Sequence, residues 1–239
     1  MARHNEWGQP IGPALENWKV PPYPPRRTLE GRFCNVVPLE VPLHGHALFE
    51  ALAKDGPHPR WTYLPYGPFP ERESFETWLA AAARGTDPLF FAIVEHETNV
   101  ASGLCSYLRI APEAGSIEVG HLNYSERLRK RKAATEAMFL LMKNAFELGY
   151  RRYEWKCDAL NAPSRSAAER LGFTHEGIFR NATVYKGRSR DTAWYAITAE
   201  DFPALERAFT AWLAPSNFDA RGEQHTRLSE LTAALRAGG

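Results

Sequence analysis

The sequence predicts an α/β fold with a mixed central sheet of about six to seven strands and flanking helices. Three strand-like runs follow one another at Leu89 to Glu95, Val100 to Ile110 and Ser116 to Tyr124, and the short turn-forming segments between them predict an antiparallel meander. The apolar residues that come next recur every three or four positions, which is the period of a helix, and Arg152 to Ala159 is again strand-like. This strand-helix-strand unit predicts two parallel strands with a right-handed crossover and a ligand crevice at the strand ends.

The remaining elements follow from the same two signals, the spacing of apolar residues and the turn residues that end each run. Gly149 is placed to end the long helix, and Asp55-Gly56-Pro57 predicts a turn. The other predicted strands are Arg32 to Pro38, His175 to Lys186 and Arg190 to Ile197, and the other predicted helices lie near Leu43 to Ala53, Glu71 to Arg84, Asn161 to Gly172 and Ala199 to Leu213.

Chain length and proline content predict one domain with an extension at each end. A chain of 239 residues fits one domain better than two. Residues 1–30 contain six prolines, which disfavour both a helix and a central strand, so we expect a proline-rich arm laid over the domain surface. Residues 31–213 would form the main domain, and residues 214–239 a C-terminal tail with one weak helix.

Composition and charge narrow the class of protein. Hydrophobic residues make up 44% and charged residues 24%, as in an ordinary globular protein. Lys plus Arg, 29, nearly balance Asp plus Glu, 28, so no net field favours nucleic acid or an anionic membrane. Cys34, Cys105 and Cys157 lack metal-ligand spacing and a recognisable His partner, so we expect buried reduced thiols and neither a metal nor a Cys nucleophile. Without an apolar signal core or a window of membrane-spanning length, the sequence predicts a cytoplasmic protein.

A basic run, Arg127 to Lys132, lies between the third meander strand and the long helix. The turn that enters a helix presents free N–H groups and a positive dipole end to an anion, so a pyrophosphate fits there. The small residues Ala133 and Ala134 let the backbone approach such a ligand. Taken alone, the run fits a solvated basic patch or a nucleic-acid contact equally well, although a net charge of +1 argues against nucleic acid. The residues that would add charge at this turn are Arg129, Lys130, Arg131 and Lys132.

The order of elements and three motifs resemble the GNAT superfamily of N-acetyltransferases. Arg129-Lys-Arg-Lys-Ala-Ala134 stands where that family has its acyl-CoA signature, Gln/Arg-x-x-Gly-x-Gly/Ala, although Lys132 replaces the usual Gly. Asn161-x-x-Ser164 followed by Leu171-Gly172-Phe173-x-x-Glu176-Gly177 resembles the second family signature. The aromatic loop Trp61 to Phe69, and the Thr-Glu-Ala that continues the first signature, resemble the RimJ/RimL-like branch of ribosomal-protein N-terminal acetyltransferases. The matches together span residues 32–213.

The resemblance implies a GNAT fold in which acetyl-CoA enters a V-shaped opening between the strands that end near Tyr124 and Ala159. Asn161 would bond the pantetheine or its water shell, or serve only as a helix N-cap. Ser164 would lie near the thiol, where a hydroxyl can protonate a departing thiolate. The tyrosine that many family members use as general acid would fall near Ala168, so this chain lacks it.

The third meander strand would supply the remaining chemistry. An amine loses its proton to a carboxylate or an ordered water, and Glu118 resembles an acidic residue often found at this place, so it is the first candidate base. Backbone amides around Leu122 and Asn123 would hold the acetyl carbonyl. Glu118 could instead face solvent, and His121, expected on the same face as Val119, is a weaker candidate.

The aromatic loop would border the acceptor pocket through Trp61, Tyr63 and Tyr66, or would pack on the core instead. We therefore expect an acetyl-CoA-dependent N-acetyltransferase in which a primary amine, at a protein N-terminus or on a small molecule, attacks the thioester directly. Neither a metal nor a membrane is expected to take part, and a homodimer is left open. The alternatives are a CoA-binding module without turnover, motivated by Lys132 and the missing tyrosine, and a nucleic-acid-binding protein that uses residues 127–132.

Overall fold

The structure is a computed structural model, and it describes residues 3–54 and 59–236. The turn predicted at Asp55-Gly56-Pro57 lies outside the described residues. The strands are β1 (Arg3–His4), β2 (Pro10–Ile11), β3 (Leu29–Glu30), β4 (Cys34–Pro38), β5 (Leu89–Glu95), β6 (Val100–Ala111), β7 (Ser116–Tyr124), β8 (Arg152–Asp158), β9 (Thr174–Tyr185) and β10 (Arg188–Thr198). The helices are α1 (Val41–Leu52), α2 (Arg72–Arg84), α3 (Lys132–Glu147), α4 (Ala162–Arg170), α5 (Phe202–Leu213) and α6 (Leu228–Arg236).

Eight of these strands form one sheet in the order β3-β4-β5-β6-β7-β8-β10-β9. Neighbouring strands are antiparallel except β7 and β8, which run parallel with α3 as their crossover. The predicted mixed α/β fold is confirmed, and so is the meander β5-β6-β7. The eighth strand is the two-residue β3, which is too short to produce an alternating pattern in the sequence. Strands β1 and β2 pair with each other in the N-terminal arm.

Helices cover the two faces of the sheet, and each face has its own core. Helices α3, α4 and α5 pack on one face, here called the α3 face, where Phe91, Ile117 and Trp155 belong to the larger core. Helices α1 and α2 pack on the other, the α1/α2 face, against Phe90 and Ala92 of β5. Because successive residues of a strand point to opposite faces, the two cores are built from neighbouring residues of the same strands.

The long helix predicted from apolar spacing is α3. It contains neither Gly nor Pro, and Ala137, Leu141 and Ala145 are fully buried at helical spacing. Gly149 has a φ of 98°, the left-handed conformation predicted for the residue that ends this helix. The buried stripe fixes α3 against the sheet, and thereby fixes the position of its N-terminus next to the end of β7.

The sheet splits between its two parallel strands. The pairing of β7 with β8 runs from Ser116 opposite Arg152 to Val119 opposite Trp155, and the strands are unpaired beyond that point. We call the gap beyond Val119 and Trp155 the opening. It lies where the V-shaped crevice was expected, at the carboxyl ends of two parallel strands.

Strand β7 also bulges against β6 at the mouth of the opening. Leu104 pairs with Asn123 and Ser106 pairs with Gly120, so one residue of β6 faces two residues of β7. His121, within the bulge, has a φ of 52°, the left-handed conformation found in one type of β-bulge. A bulge turns the following side chains and frees backbone groups from the ladder, so it reshapes β7 beside the opening.

Both ends of the chain pack on this sheet-and-helix unit. In the arm, Tyr150 donates a hydrogen bond to the Pro22 carbonyl at 3.2 Å. In the tail, α6 packs on α4 and α5, with Leu228 buried in the larger core and Thr232 hydrogen-bonded to the carbonyl of Arg170. The three cysteines are free and buried, as predicted. Within the described ranges, no helix is long and apolar enough to span a membrane.

Candidate active site

The N-terminus of α3 is open to an anion. Arg131 occupies the N-cap position and makes no capping hydrogen bond through its side chain, and the first turn carries no acidic residue. Ala133 and Ala134 are buried, so their small side chains leave the backbone of this turn close to the rest of the site. The N–H groups of a first helical turn have no partner inside the helix, and here no side chain of the helix caps them.

Part of the basic run is paired with carboxylates. Arg127 forms a 2.9 Å ion pair with the buried Glu95, and Arg129 forms a 2.9 Å ion pair with Glu126. Their charges are therefore partly neutralised before any ligand arrives. The two exposed cations directly before the helix are Lys130 and Arg131.

Lys132 is held by the C-terminal tail. Its ammonium lies 3.6 Å from the ring centre of Phe218 and 5.7 Å from that of Phe33, both within cation–π distance. The resembling family usually has Gly at this position, which leaves the first-turn amides open. The longer side chain of Lys132 could have covered them. The tail instead draws the Lys132 side chain away from them.

The start of α4 lines the other side of the opening. Asn161 is the N-cap of α4, and its Oδ1 accepts a 3.2 Å hydrogen bond from the Ser164 backbone N–H. The Ser164 hydroxyl accepts a 3.1 Å hydrogen bond from Trp155 Nε1, and it also bonds to Cys157, which opposes the rise in the pKa of that thiol caused by burial. Ala168, where the family's tyrosine would fall, is fully buried. Ser164 is therefore the hydroxyl that α4 places against β8.

Glu118 is buried rather than facing solvent, with 3% exposure. Its Oε1 accepts a 2.7 Å hydrogen bond from Arg109, and its Oε2 lies 3.0 Å from Lys156 Nζ. Burial raises the pKa of Glu118, and the two cations oppose that rise. A carboxylate with a raised pKa takes up a proton more readily near neutral pH than an exposed one does.

His121 lies on the α1/α2 face, so the expectation that it shares a face with Val119 is wrong. The bulge inserts one residue and reverses the alternation. The His121 ring stacks on Tyr66 at 5.5 Å between centres, bonds the Tyr66 hydroxyl at 3.2 Å and contacts Phe90 at 5.0 Å. Burial and then the charge of Arg109 lower its pKa to about 4, so the ring is neutral at physiological pH.

After the bulge, Leu122 and Asn123 point to opposite faces of the sheet. Leu122 packs against the larger core on the α3 face, whereas Asn123 pairs with Leu104 of the α1/α2 core. Since β8 no longer pairs with β7 here, the backbone groups on this edge of β7 border the opening. Asn123 is 2% exposed, and neither atom of its side-chain amide has a hydrogen-bond partner in the described structure.

Trp61 packs in the core. This is the second of the two interpretations of the aromatic loop, which could border the acceptor pocket or pack on the core. It is 1% exposed and makes edge-to-face contacts with Tyr66 and Phe69. Gly67, at a φ of 65°, lies so close that a Cβ there would stand 2.5 Å from the Trp61 ring. Trp61 therefore shapes the loop from within, while Tyr66 is the member that contacts His121.

The aromatic loop, Trp61 to Phe69, is also bonded to the far side of the opening. The Tyr63 hydroxyl donates a 3.2 Å hydrogen bond to the carbonyl of Leu160, which follows β8. From the turn between β9 and β10, Lys186 Nζ donates to the Trp61 carbonyl at 2.7 Å. These contacts join the aromatic loop to the end of β8 and to the turn between β9 and β10. The aromatic loop therefore covers the opening on the α1/α2 face.

Sequence reasoning missed Asp158 and Tyr185. Asp158 is the last residue of β8 and 5% exposed; its Oδ2 accepts a 2.8 Å hydrogen bond from the Tyr185 hydroxyl. Its Oδ1 accepts a 2.8 Å bond from the Leu160 backbone N–H. The signal available in the sequence was an acidic residue at the carboxyl end of a strand that borders the predicted crevice. In the described part of the chain, no three His, Cys, Asp or Glu side chains gather to hold a metal.

Comparison with known proteins gives matches over most of the chain. The family described as acetyltransferase (GNAT) domain matches residues 41–174. The solved structure of a GCN5-related N-acetyltransferase from Brucella melitensis is 45% identical and covers 92% of this chain and 100% of its own, with a TM-score of 0.88. A probable acetyltransferase (GNAT family) from Chromobacterium violaceum ATCC 12472 is 40% identical and covers 82% of this chain and 98% of its own, with a TM-score of 0.76.

More distant proteins share a segment or the fold. The uncharacterized N-acetyltransferase p20 of Bacillus licheniformis is 28% identical over 113 residues, which are 47% of this chain. That match spans 63% of the p20 protein, less than two thirds of its length. The structure of RimL, a ribosomal L7/L12 alpha-N-protein acetyltransferase, is 20% identical and covers 72% of this chain and 94% of its own, with a TM-score of 0.61, so it shares the fold alone.

Proposed function

Because the chain belongs to the GNAT acetyltransferase domain family, we propose that it transfers the acetyl group of acetyl-CoA to a primary amine by direct attack. The acceptor is a protein N-terminus or a small-molecule amine, and the catalytic unit comprises residues 31–213. The observation that supports this most directly is the opening itself: two unpaired strand ends beside an uncapped helix N-terminus. The family's members use acetyl-CoA, and this chain offers the groups that such a ligand needs.

The residues around the opening fit acetyl-CoA. The first turn of α3 offers free amides to a pyrophosphate, with Ala133 and Ala134 leaving room for its approach. The exposed Lys130 and Arg131 add positive charge beside it. Asn161, at the start of α4, borders the path of the pantetheine arm. Less charge comes from Arg129 and Lys132 than their sequence positions suggested, because a carboxylate and the tail engage them.

Acetyl-CoA supplies the activated acyl group, and the side chains here orient it and move protons. Backbone amides of Leu122 and Asn123 border the opening, where they would hold the acetyl carbonyl. We assign the proton-accepting role to Glu118, whose burial raises its pKa. The Ser164 oxygen accepts from Trp155, and its hydroxyl proton, which bonds Cys157 here, would be donated to the departing thiolate.

On the acceptor side we propose a relation to the RimJ/RimL-like branch, and hence a protein N-terminus as the first acceptor class to test. Two features of this chain support it. The aromatic loop lies beside the opening, where the Tyr63 hydroxyl bonds Leu160 and the Tyr66 ring stacks on His121, and Thr-Glu-Ala continues the acyl-CoA signature. The name of RimL describes an N-terminal acetyltransferase, although its likeness to this chain is one of fold.

The test is thiol release from acetyl-CoA in the presence of peptides with free N-termini and of small aliphatic amines. Glu118→Gln should lower kcat by about 100-fold or more, the usual contribution of general base catalysis, while acetyl-CoA affinity stays the same. Glu95→Gln is the matched control, since Glu95 is also a buried carboxylate paired with an arginine but lies away from the opening.

Three results would count against parts of this assignment. Acetyl-CoA binding without thiol release for any amine supports the CoA-binding module instead. Loss of activity in Glu95→Gln equal to that in Glu118→Gln removes Glu118 from the chemistry. Affinity for DNA or RNA that falls steeply with salt, with no CoA binding, favours the nucleic-acid alternative.

A further inference from the structure

Four carboxylates are buried in the described part of the chain, and three of them have either a cation or three backbone donors beside them. Glu95 is paired with Arg127, and Glu118 is paired with two cations. Glu136 accepts three backbone N–H bonds of 2.6 to 3.0 Å from the segment that enters β4. An ionised carboxylate is costly to bury unless a countercharge or several donors surround it, and these three follow that rule.

Asp158 is the exception. Its two hydrogen bonds come from neutral donors, the Leu160 N–H and the Tyr185 hydroxyl, each at 2.8 Å. No Lys, Arg or His nitrogen within residues 3–54 and 59–236 lies at ion-pair distance from its oxygens. A carboxylate has about four acceptor positions, so roughly half the capacity of Asp158 is unused. A buried negative charge without a countercharge points to a cation that the protein itself does not provide.

Asp158 lies at the opening, on the α1/α2 face. Trp155 and Cys157 belong to the larger core on the α3 face, so Asp158, one position further, points to the opposite face. The carbonyl of Leu160, two residues on, receives the hydrogen bond from Tyr63 of the aromatic loop. The Asp158 carboxylate therefore lies beneath the aromatic loop, which covers the opening on this face.

Asn123 and Asp158 occupy corresponding positions of the two strands that border the opening. The parallel register places Val119 opposite Trp155, and allowing one extra residue of β7 for the bulge brings Asn123 level with Asp158. Both side chains are on the α1/α2 face, because the strand partner of Asn123 is Leu104 of that core. An unpartnered buried amide costs about 1–3 kcal/mol. Asn123, whose amide has no partner in the described structure, and Asp158, which has two neutral donors and no countercharge, thus lie on the same face at the two sides of the gap.

We propose that Asp158 and Asn123 bind the primary ammonium group of the acceptor before it loses its proton. The carboxylate supplies the countercharge and accepts one N–H, and the Asn123 Oδ1 accepts a second. The acceptor class is then an aliphatic amine or a peptide N-terminus, which is protonated in water, and not an arylamine, which is neutral. Naming the bound cation as the acceptor rests on the proposed acetyltransferase function, whereas the cation site itself does not.

This role predicts an unusual effect on stability. Asp158→Asn keeps an oxygen for the Leu160 N–H, and its new NH₂ can donate to the Tyr185 oxygen, so the fold retains both contacts. Removing an uncompensated buried charge should leave Tm unchanged or raise it. A purely structural Asp158 would instead give a lower Tm. Asn123→Leu, which replaces an unsatisfied amide with an apolar group of similar size, should likewise not lower Tm.

The experiment is a ligand-observed NMR titration of the full chain with n-butylammonium, using neutral 1-butanol as the reference probe. Wild type should bind n-butylammonium, and Asp158→Asn should weaken that binding by at least about tenfold, since it removes a charge-assisted contact. Asp201→Asn is the matched control because Asp201 also accepts one backbone N–H and one hydroxyl, both from Thr198, at a site away from the opening.

Each result decides one question. Equal n-butylammonium affinity in wild type and Asp158→Asn overturns the proposal, and so does equal binding of n-butylammonium and 1-butanol by wild type. A lower Tm for Asp158→Asn than for Asp201→Asn assigns Asp158 to structure and also overturns it. Acetyl-CoA affinity, measured on wild type, Asp158→Asn and Asp201→Asn, tests the proposed function separately, because neither substitution lies at the α3 N-terminus or at the amides assigned to the acetyl carbonyl.

Discussion

Arg131, Asn123 and Asp158 each break a local rule of protein structure, and all three lie around the opening. An N-cap position favours a side-chain oxygen, yet Arg131 offers none. A buried amide normally finds a partner, and Asn123 has none in the described structure. A buried carboxylate normally has a countercharge, and Asp158 lacks one there. Such exceptions are expected where a ligand completes the interactions.

His121 gives a prediction for stability against pH. The folded protein holds the pKa of His121 at about 4, against 6.5 for a free ring. The unfolded chain therefore binds a proton below pH 6.5 that the folded protein does not bind until about pH 4, so the free energy of unfolding falls as the pH drops through this window. The full effect of lowering this pKa from 6.5 to about 4 is roughly 3–4 kcal/mol.

His121→Phe preserves the stacking on Tyr66 and removes the titration. Denaturant unfolding at about pH 7.5 and about pH 4.5 should show a smaller loss of stability for the variant, by about 2 kcal/mol. An equal loss in both proteins would mean that His121 is protonated normally in the folded state.

At the scale of elements, α3 joins three parts of the site. Its first turn faces the opening, its buried stripe anchors it on the sheet, and Glu136 reaches the segment that enters β4. The three backbone N–H groups bonded by Glu136 belong to Arg32, Phe33 and Cys34. This one carboxylate therefore aligns the start of α3 with the sheet.

Glu136→Gln should cost about 2–4 kcal/mol, because charge-assisted hydrogen bonds are lost and the new NH₂ faces N–H donors. Glu147→Gln, on the exposed end of the same helix, should change stability by less than about 0.5 kcal/mol. Urea unfolding of the two variants measures both values. If both variants change stability by a similarly small amount, the hydrogen bonds of Glu136 stabilise the fold little more than hydrogen bonds to water stabilise the unfolded chain.

The elements themselves could be predicted because their signals are local. The apolar spacing of α3, its end at Gly149, and the strand-like runs of β5 to β7 with turn residues between them all lie within single segments of the sequence. The bulge at His121 could not be predicted, since it depends on how β7 registers against β6. The countercharges of Glu118 could not be predicted either, because Lys156 comes from a strand that is distant in sequence. That Asp158 lacks a countercharge in the described structure could not be predicted either, because its neighbours are known only once the chain is folded.

At the scale of the whole molecule, the C-terminal tail packs on the same elements that form the site. Phe218 holds Lys132 at the start of α3, and Leu228 enters the larger core. The buried Asn217 bonds the Trp212 carbonyl at 3.0 Å and Thr226 at 2.9 Å, which fixes the turn between α5 and α6. The sequence predicted a weak tail helix but not its packing, because Lys132 and the larger core lie far from the tail along the chain.

A chain that ends at Leu213 should therefore unfold at a lower temperature, by roughly 5–10 °C for a protein of this size. Leu228→Ala in the full chain should act in the same direction, at a cost of about 2–4 kcal/mol for a buried leucine. Thermal unfolding followed by circular dichroism measures both. An unchanged Tm after truncation would mean that the tail folds apart from the domain.

We propose that the open N-terminus of α3 receives the phosphates of acetyl-CoA. Arg131→Asp tests it, because an aspartate at the N-cap accepts the first-turn N–H bonds and suits the helix dipole, yet repels a phosphate. Arg227→Asp is the matched control: it makes the same change at the residue whose carbonyl accepts a hydrogen bond from Leu231 at the start of α6.

The measurement is calorimetric titration of wild type and both variants with acetyl-CoA. Arg131→Asp should keep or raise Tm and lower acetyl-CoA affinity by about 100-fold or more, while Arg227→Asp should bind as wild type does. Wild-type affinity in Arg131→Asp would contradict the account, because it would mean that the phosphates bind elsewhere than at the start of α3.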